Sequence, residues 1–94
     1  MRKRNMELES QLQQYLAENI LFSENGFEYS NDTSLVHDGL IDSTGVLELM
    51  LYVESTFGIK VDPLEVTPEN FDSVNKLASY IRRKKGGLDS RSRR

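Results

Sequence analysis

The sequence predicts an all-α domain: a bundle of three longer helices and one short helix, with a long polar connection between the first two. Two observations carry this fold class. Apolar residues recur at three- and four-residue spacing in three separate stretches, with no strand-like alternation between them. Capping residues, or proline after a capping residue, also stand where helical stretches begin. A chain of 94 residues has room for one modest core and not for two.

Leu8, Leu12, Tyr15, Leu16 and Ile20 mark a first helix over about 5–21, with Asn25-Gly26 as its stop. Residues 22–42 form the long connection, a length that fits a small domain only if its own apolar residues pin it or function requires it. Phe27, Tyr29, Leu35 and Leu40 are the expected pins. A second helix runs from about Thr44 to Phe57. Its core stripe is Val46, Leu49, Met50, Val53 and Phe57, which share an arc of about 100°. Gly58 occupies the usual position for a left-handed stop. Asp62-Pro63 and Thr67-Pro68 each pair a capping residue with proline at the first helical position, so short turns are expected there. Ser73 caps a last helix carrying Val74, Leu77, Ala78 and Ile81. Arg82, Arg83, Lys84 and Lys85 suit that helix's negative end, or are simply a solvated charge run. Gly86-Gly87 is the expected stop. The chain thus divides into a basic N-terminal extension (1–4), a folded domain (5–85) and a basic, disordered tail (86–94).

The net charge of −3 conceals a segregation. Residues 5–81 hold fourteen acids against Lys60 and Lys76, a net of −12, whereas the two ends hold ten bases and Asp89, a net of +9. Such a body repels nucleic acid and steers toward basic protein surfaces. With no cysteine there is neither a disulfide framework nor a thiolate metal site, which suits a reducing compartment. No apolar stretch approaches the roughly 20 residues of a membrane helix. Met1-Arg-Lys-Arg4 is followed by Asn5-Met-Glu-Leu-Glu-Ser10 instead of the apolar segment of a signal peptide. The expectation is a cytoplasmic monomer without membrane insertion.

The segment Gly39-Leu-Ile-Asp-Ser-Thr-Gly45 leads into the second helix and places one hydroxyl, Ser43, in a turn between Asp42 and Thr44. A phosphate ester there would face free backbone N–H groups and the positive end of the helix dipole. The plainer alternative is that Asp42, Ser43 and Thr44 are only good capping residues. Other chemistries fail on spacing. A calcium loop starting at Asp38 has Leu40 at position 3, Ser43 at position 6 and Leu49 at position 12. A serine hydrolase would need a base, yet His37 is the only histidine and no Gly-x-Ser-x-Gly elbow surrounds Ser43. One histidine and no cysteine rule against zinc. No catalytic residue and no metal ligand is expected.

The ordered set Leu35-x3-Gly39-Leu-Ile-Asp42-Ser43, then Val46-Leu-Glu-Leu-Met-Leu-x-Val53-Glu-x2-Phe57-Gly58-Ile59-x-Val61, then Phe71-x-Ser73-Val74 and the Leu77/Ile81 helix, resembles the acyl and peptidyl carrier proteins over about residues 8–82. The resemblance implies a four-helix bundle of acyl-carrier type in which Ser43 carries a 4′-phosphopantetheine arm, with acyl or aminoacyl cargo held on its thiol as a thioester. It implies three kinds of partner: a phosphopantetheinyl transferase, an acyl- or aminoacyl-loading ligase, and a downstream acyltransferase or synthase. Fatty-acid carriers usually have an apolar residue after the serine, where this chain has Thr44-Gly45. Thr-Gly-Val-Leu-Glu-Leu looks closer to free-standing carriers of polyketide, peptide or aminoacyl-loading pathways. The alternative is an unmodified helical interaction module that keeps the carrier fold.

On the helical wheel Leu47 and Leu51 lie about 60° and about 100° from Met50, on the side away from the core stripe. They are one turn apart, framed by Glu48 and Glu54. An apolar pair rimmed by acids fits a basic enzyme groove, and the resemblance points the same way, since carriers are usually recognised along this helix. If the core stripe is wide, both leucines are instead buried against the long connection.

Overall fold

Leu8, Leu12 and Leu16 repeat at four-residue intervals, and that stripe draws the first helix onto the rest of the chain. In the computed structural model the backbone is described for residues 3–92 and the side chains for residues 8–86, so the basic extension expected at 1–4 lies largely outside the described part. Helix α1 is Lys3–Tyr15, followed directly by a π-helical turn, Leu16–Ile20. The single helix expected over 5–21 is therefore real but widened at its end. The amides of Leu21 and Ser23 donate to the carbonyls of Leu16 and Ala17, each at 2.8 Å. The wider turn shifts the buried face by one position, so the sequence neighbours Leu16 and Ala17 are both buried.

The long connection is pinned, as its length requires. Leu35 is fully buried, Phe27 and Leu40 pack against the core, and Tyr29 is about half exposed, its ring set edge-to-face with Phe27. Ile41, not expected as a pin, is buried too. Gly39 holds a left-handed φ of 77°, which folds the chain back so that Leu40 and Ile41 both donate to the Leu35 carbonyl at 2.8 and 3.0 Å.

Helix α2 is Ser43–Phe57, ended by Gly58 at φ 67° with its N–H on the Glu54 carbonyl. A 3₁₀ turn, Pro63–Glu65, follows, where Asp62 and Glu65 form a reciprocal capping box. Helix α3 is the short Pro68–Phe71 and helix α4 runs Val74–Ser92. The described residues contain helices and turns and no strand, the all-α bundle that was expected. The core joins Leu12 and Leu16 to Leu49 and Val53 of α2, and to Val74, Leu77, Ala78 and Ile81 of α4. Ser73 caps α4 through the Lys76 amide at 3.1 Å.

Three local expectations are corrected. Thr67 begins α3 without a side-chain cap, and its Oγ1 is buried with no hydrogen-bond partner among the described residues. Gly86-Gly87 does not stop α4, so the tail set apart at 86–94 is helical as far as Ser92. A glycine inside a helix costs about 1 kcal/mol, but it ends one only by turning left-handed. Among the described residues Gly26, Gly39 and Gly58 do that, and Gly86 does not. The basic run, finally, does not lie at a helix end, and its largely exposed side chains nevertheless find partners. Arg82 pairs with Glu9 at 2.9 Å and Lys84 with Glu65 at 3.0 Å, while Arg83 donates to Asn70 and Lys85 to the Phe57 carbonyl.

Asp72, between α3 and α4, ties the connection down. Its carbonyl accepts the Leu35 amide at 2.7 Å, and its carboxylate accepts the Ser34 hydroxyl and, at 2.9 Å, the Val36 amide. Partial burial pushes this carboxyl up, but those two hydrogen bonds, aided by Lys76 and His37, outweigh it and leave Asp72 below the ordinary 3.8. Glu9 is lowered in the same way: burial pushes it up, and the Arg82 hydrogen bond, a backbone hydrogen bond and the Arg82 charge together outweigh it. Hydrogen bonds from Tyr80 and Lys84 lower Glu65. All three bind protons less readily folded than unfolded. Their stabilisation is therefore complete above the unfolded values of 3.8 and 4.5 and is lost as pH falls through the lower folded ones. The melting temperature should hold from pH 7 to about 5 and then drop. Asp72→Asn should melt lower at pH 7 and show a shallower acid slope. Parallel slopes for wild type and variant would mean that the clamp contributes nothing.

Candidate functional site

The site starts from a cap. Asp42 has an extended backbone (φ −112°, ψ −171°), and its Oδ1 accepts the Gly45 amide at 2.9 Å while its carbonyl accepts the Val46 amide at 2.9 Å. Ser43 and Thr44 are thereby the first two residues of α2, and both side chains are exposed. Their own N–H groups have no acceptor among the described residues, as first-turn amides of a helix do not. The helix end is not wholly free, however. The Asp42 carboxylate already takes the Gly45 amide and offsets part of the dipole. A second negative group on Ser43 would therefore stand outward, beside that carboxylate.

Gly45 is buried beneath this turn. A Cβ there would lie 3.2 Å from Ile41 Cβ and 3.7 Å from Ile20 Cγ2, so glycine is what lets the π-turn and the end of the connection close onto α2. The cap, the buried Gly45 and Ile41, and the Asp72 clamp together hold Ser43 outward on a rigid element.

Two apolar grooves open beside the turn. One, about 510 Å³, is lined by Ser43, Val46, Leu47, Met50, Pro63 and Val66, with Val36 at its edge. The other, about 350 Å³, shares Val36, Val46 and Val66 and reaches Phe71, Asp72 and the orphan hydroxyl of Thr67. His37 lines only the second groove. It is 84 % exposed with Nδ1 3.6 Å from Asp38 Oδ1, and no hydrogen bond joins it to Ser43 among the described residues.

Along α2, Leu49 and Val53 are fully buried and Val46, Met50 and Phe57 pack against the core. Leu47 and Leu51 are each 55 % exposed, so the stripe is narrow and the two leucines lie outside it. Glu48 is exposed. Glu54 differs from what the wheel implied: its Oε2 accepts the Val61 amide at 2.8 Å, which commits it to holding the segment after α2. The structure thus brings Asp42, Ser43, Thr44, Leu47, Glu48 and Leu51 to accessible positions and turns Glu54 partly inward.

Three exposed apolar residues went unnoticed in the sequence. Leu64, in the 3₁₀ turn, is 86 % exposed, Phe22, just past the π-turn, is 77 % exposed at φ 52°, and Val36, in the connection, is about half exposed. The visible signal for Phe22 was an aromatic residue just past the last apolar position of the helical pattern, three residues ahead of the expected Asn25-Gly26 stop.

No family model matches the chain. Individual relatives do. It is 33% identical over 57 residues to the D-alanyl carrier protein of Abiotrophia defectiva, an alignment covering 61% of this chain and 72% of that protein. Against the D-alanyl carrier protein of Bacillus velezensis it is 28% identical over 76 residues, covering 81% and 95%. Against aminoacyl carrier protein 2 of Bradyrhizobium diazoefficiens it is 44% identical over 50 residues, covering 53% and 55%. With these likenesses over a helical bundle, the chain belongs to the family of free-standing carrier proteins that includes the D-alanyl and aminoacyl carriers.

Proposed function

We propose that Ser43 is the attachment point of a 4′-phosphopantetheine arm whose thiol holds aminoacyl cargo, in a specialised pathway and not in housekeeping fatty-acid synthesis. One observation supports this above the others: an exposed serine hydroxyl on the first residue of a rigid helix, held outward by the Asp42 cap. The residues present fit such a group. Ser43 offers an accessible oxygen, and the groove of about 510 Å³ that begins at Ser43 gives an arm room along an apolar wall. When bound, the arm supplies the thiol that the cysteine-free chain lacks.

The chain's own part is positional. In the attachment step Ser43 Oγ would bond to the phosphopantetheinyl phosphorus of a coenzyme A donor, the pyrophosphate P–O bond breaking to release adenosine 3′,5′-bisphosphate and the Oγ proton passing to a base. No hydrogen bond joins His37 to Ser43 among the described residues, which supports a base supplied by the transferase. Asp42 keeps the turn in register, and Gly45 keeps the turn seated on the bundle. The names of the relatives make an amino acid, D-alanine first among them, the cargo to try. Partners are then a phosphopantetheinyl transferase, an aminoacyl-loading ligase and a downstream acceptor enzyme, all met by a cytoplasmic monomer. No described helix is long and apolar enough to cross a membrane.

Co-expression with a broad-specificity transferase should raise the intact mass by one phosphopantetheine, and Ser43→Ala should gain nothing. A full gain in the alanine variant would sink the assignment. No gain in the wild type would leave an unmodified interaction module. Because Asp42 is the cap, Ser43→Ala is a surface change and should stay within about 0.5 kcal/mol of wild type.

The exposed pair on α2 is the proposed enzyme-docking face, with Glu48 as the acid that stands free beside it. Leu51→Ala should leave the melting point nearly unchanged and slow modification or loading, whereas Leu49→Ala should cost about 2–5 kcal/mol. Unchanged kinetics in Leu51→Ala would remove Leu51 from the docking face.

A further inference from the structure

Phe22 is unfavourable twice over at one position. Its backbone is left-handed at φ 52°, the only non-glycine residue so placed among those described, and its ring is 77 % exposed. Glycine or asparagine would close the π-turn without that strain, and any polar residue would avoid presenting a ring to water. The backbone on either side is fixed by the hydrogen bonds from Leu21 and Ser23, so the ring is offered at a set place.

That place is the Ser43 end of the bundle. Ile20, two residues before Phe22, lies against Gly45, two residues after Ser43. Chain reach alone keeps Phe22 within about 25 Å of Ser43. A protein interface of ordinary size takes about 800 Å² from each partner, a patch roughly 30 Å across. A single interface of that span can hold both Ser43 and Phe22 when the serine lies off its centre. The surroundings are acidic: residues 5–59 contain ten carboxylates and no lysine or arginine, and Glu18, Glu24 and Glu28 are exposed around Phe22 in the chain. A rigid aromatic ring among carboxylates matches an apolar pocket rimmed by basic side chains.

Building on the assignment of Ser43, we propose that Phe22 is a docking anchor for the transferase that esterifies it. The occupant is the transferase because its reacting atom is Ser43 Oγ itself, so it must sit on the protein surface around that turn. Loading enzymes act at the far end of the arm.

The test is the rate of phosphopantetheine transfer from coenzyme A to the purified apo chain by a broad-specificity transferase, read by intact mass beside thermal melting. Phe22→Asn and Phe22→Gly suit the left-handed backbone, so their melting temperatures should equal or exceed that of wild type. Their kcat/KM for modification should nevertheless fall about tenfold, mainly through KM, and Phe22→Tyr should restore it. Wild-type rates in the asparagine and glycine variants would overturn the anchor and leave Ser43 untouched. A slower rate that tracks a lower melting temperature, unrescued by tyrosine, would overturn it in favour of a purely structural role. No mass gain in the wild type would overturn the Ser43 assignment and the anchor together.

Discussion

The turn that carries Ser43 depends on one carboxylate that is nowhere near it in sequence. Asp72 takes the Ser34 hydroxyl and the Val36 amide on its side chain and the Leu35 amide on its carbonyl. Those bonds tie the last stretch of the connection to the α3–α4 junction, where Asn75 also holds Asn31 and Asp32, while the Leu35 carbonyl takes the Leu40 and Ile41 amides from within the connection. Leu35 then drops fully into the core, Gly39 reverses the chain, and Ile41 packs beneath Gly45. Only with that path fixed does Asp42 arrive with its carboxylate over the Gly45 amide and Ser43 on the outside. The chemistry of the turn is local, but its position is set from the α3–α4 junction.

What could be read from the sequence follows from the range of the forces involved. Helix α2, its Asp42–Ser43 start and its Gly58 stop rest on periodicity and backbone preference within a few residues, and they appear where they were expected. The exposure of Leu47 and Leu51 follows from the same periodicity. Other features turn on contacts between distant residues. Nothing near Arg82 in the chain announces Glu9, and nothing near Glu54 announces that its carboxylate will hold the Val61 amide. The glycine pair misled for a different reason. A glycine is permissive, and its stop signal holds only if the left-handed turn is taken. Thr67 shows a further limit, since proline after a capping residue predicted the turn correctly but not that the hydroxyl would be left without a partner.

The charge segregation also changes meaning in the folded chain. As composition, it is an acidic body with basic ends. As structure, part of the C-terminal basic run folds back onto that body, with Arg82 on Glu9 and with Lys84 and the Tyr80 hydroxyl on Glu65. Each exposed pair contributes little by itself. Together they gather positive charge along α4, while the carboxylates between residues 5 and 59 have no lysine or arginine among them in the chain. The surface that carries Ser43, Leu47, Glu48 and Leu51 belongs to that stretch, in which Glu9 is the acid that Arg82 pairs.

A carrier must satisfy two demands that conflict on a small domain. Its core has to be closed tightly enough to hold one serine in place, and its surface must still keep apolar residues available for enzymes that bind in turn. Helix α2 divides the two demands by angle, with Leu49 and Val53 wholly inside and Leu47 and Leu51 half outside. The end of the first helix divides them by backbone conformation. Leu16 and Ala17 are both buried by the widened turn, and the residue that closes it, Phe22, is turned out to water in a conformation its side chain disfavours. Exposed apolar area on a chain of this size lowers solubility and contributes nothing to the core. Phe22 and Leu47 stand on two elements that meet near Ser43, through the Ile20–Gly45 contact on one side and α2 itself on the other, which fits the proposed role of Ser43 as the point of attachment.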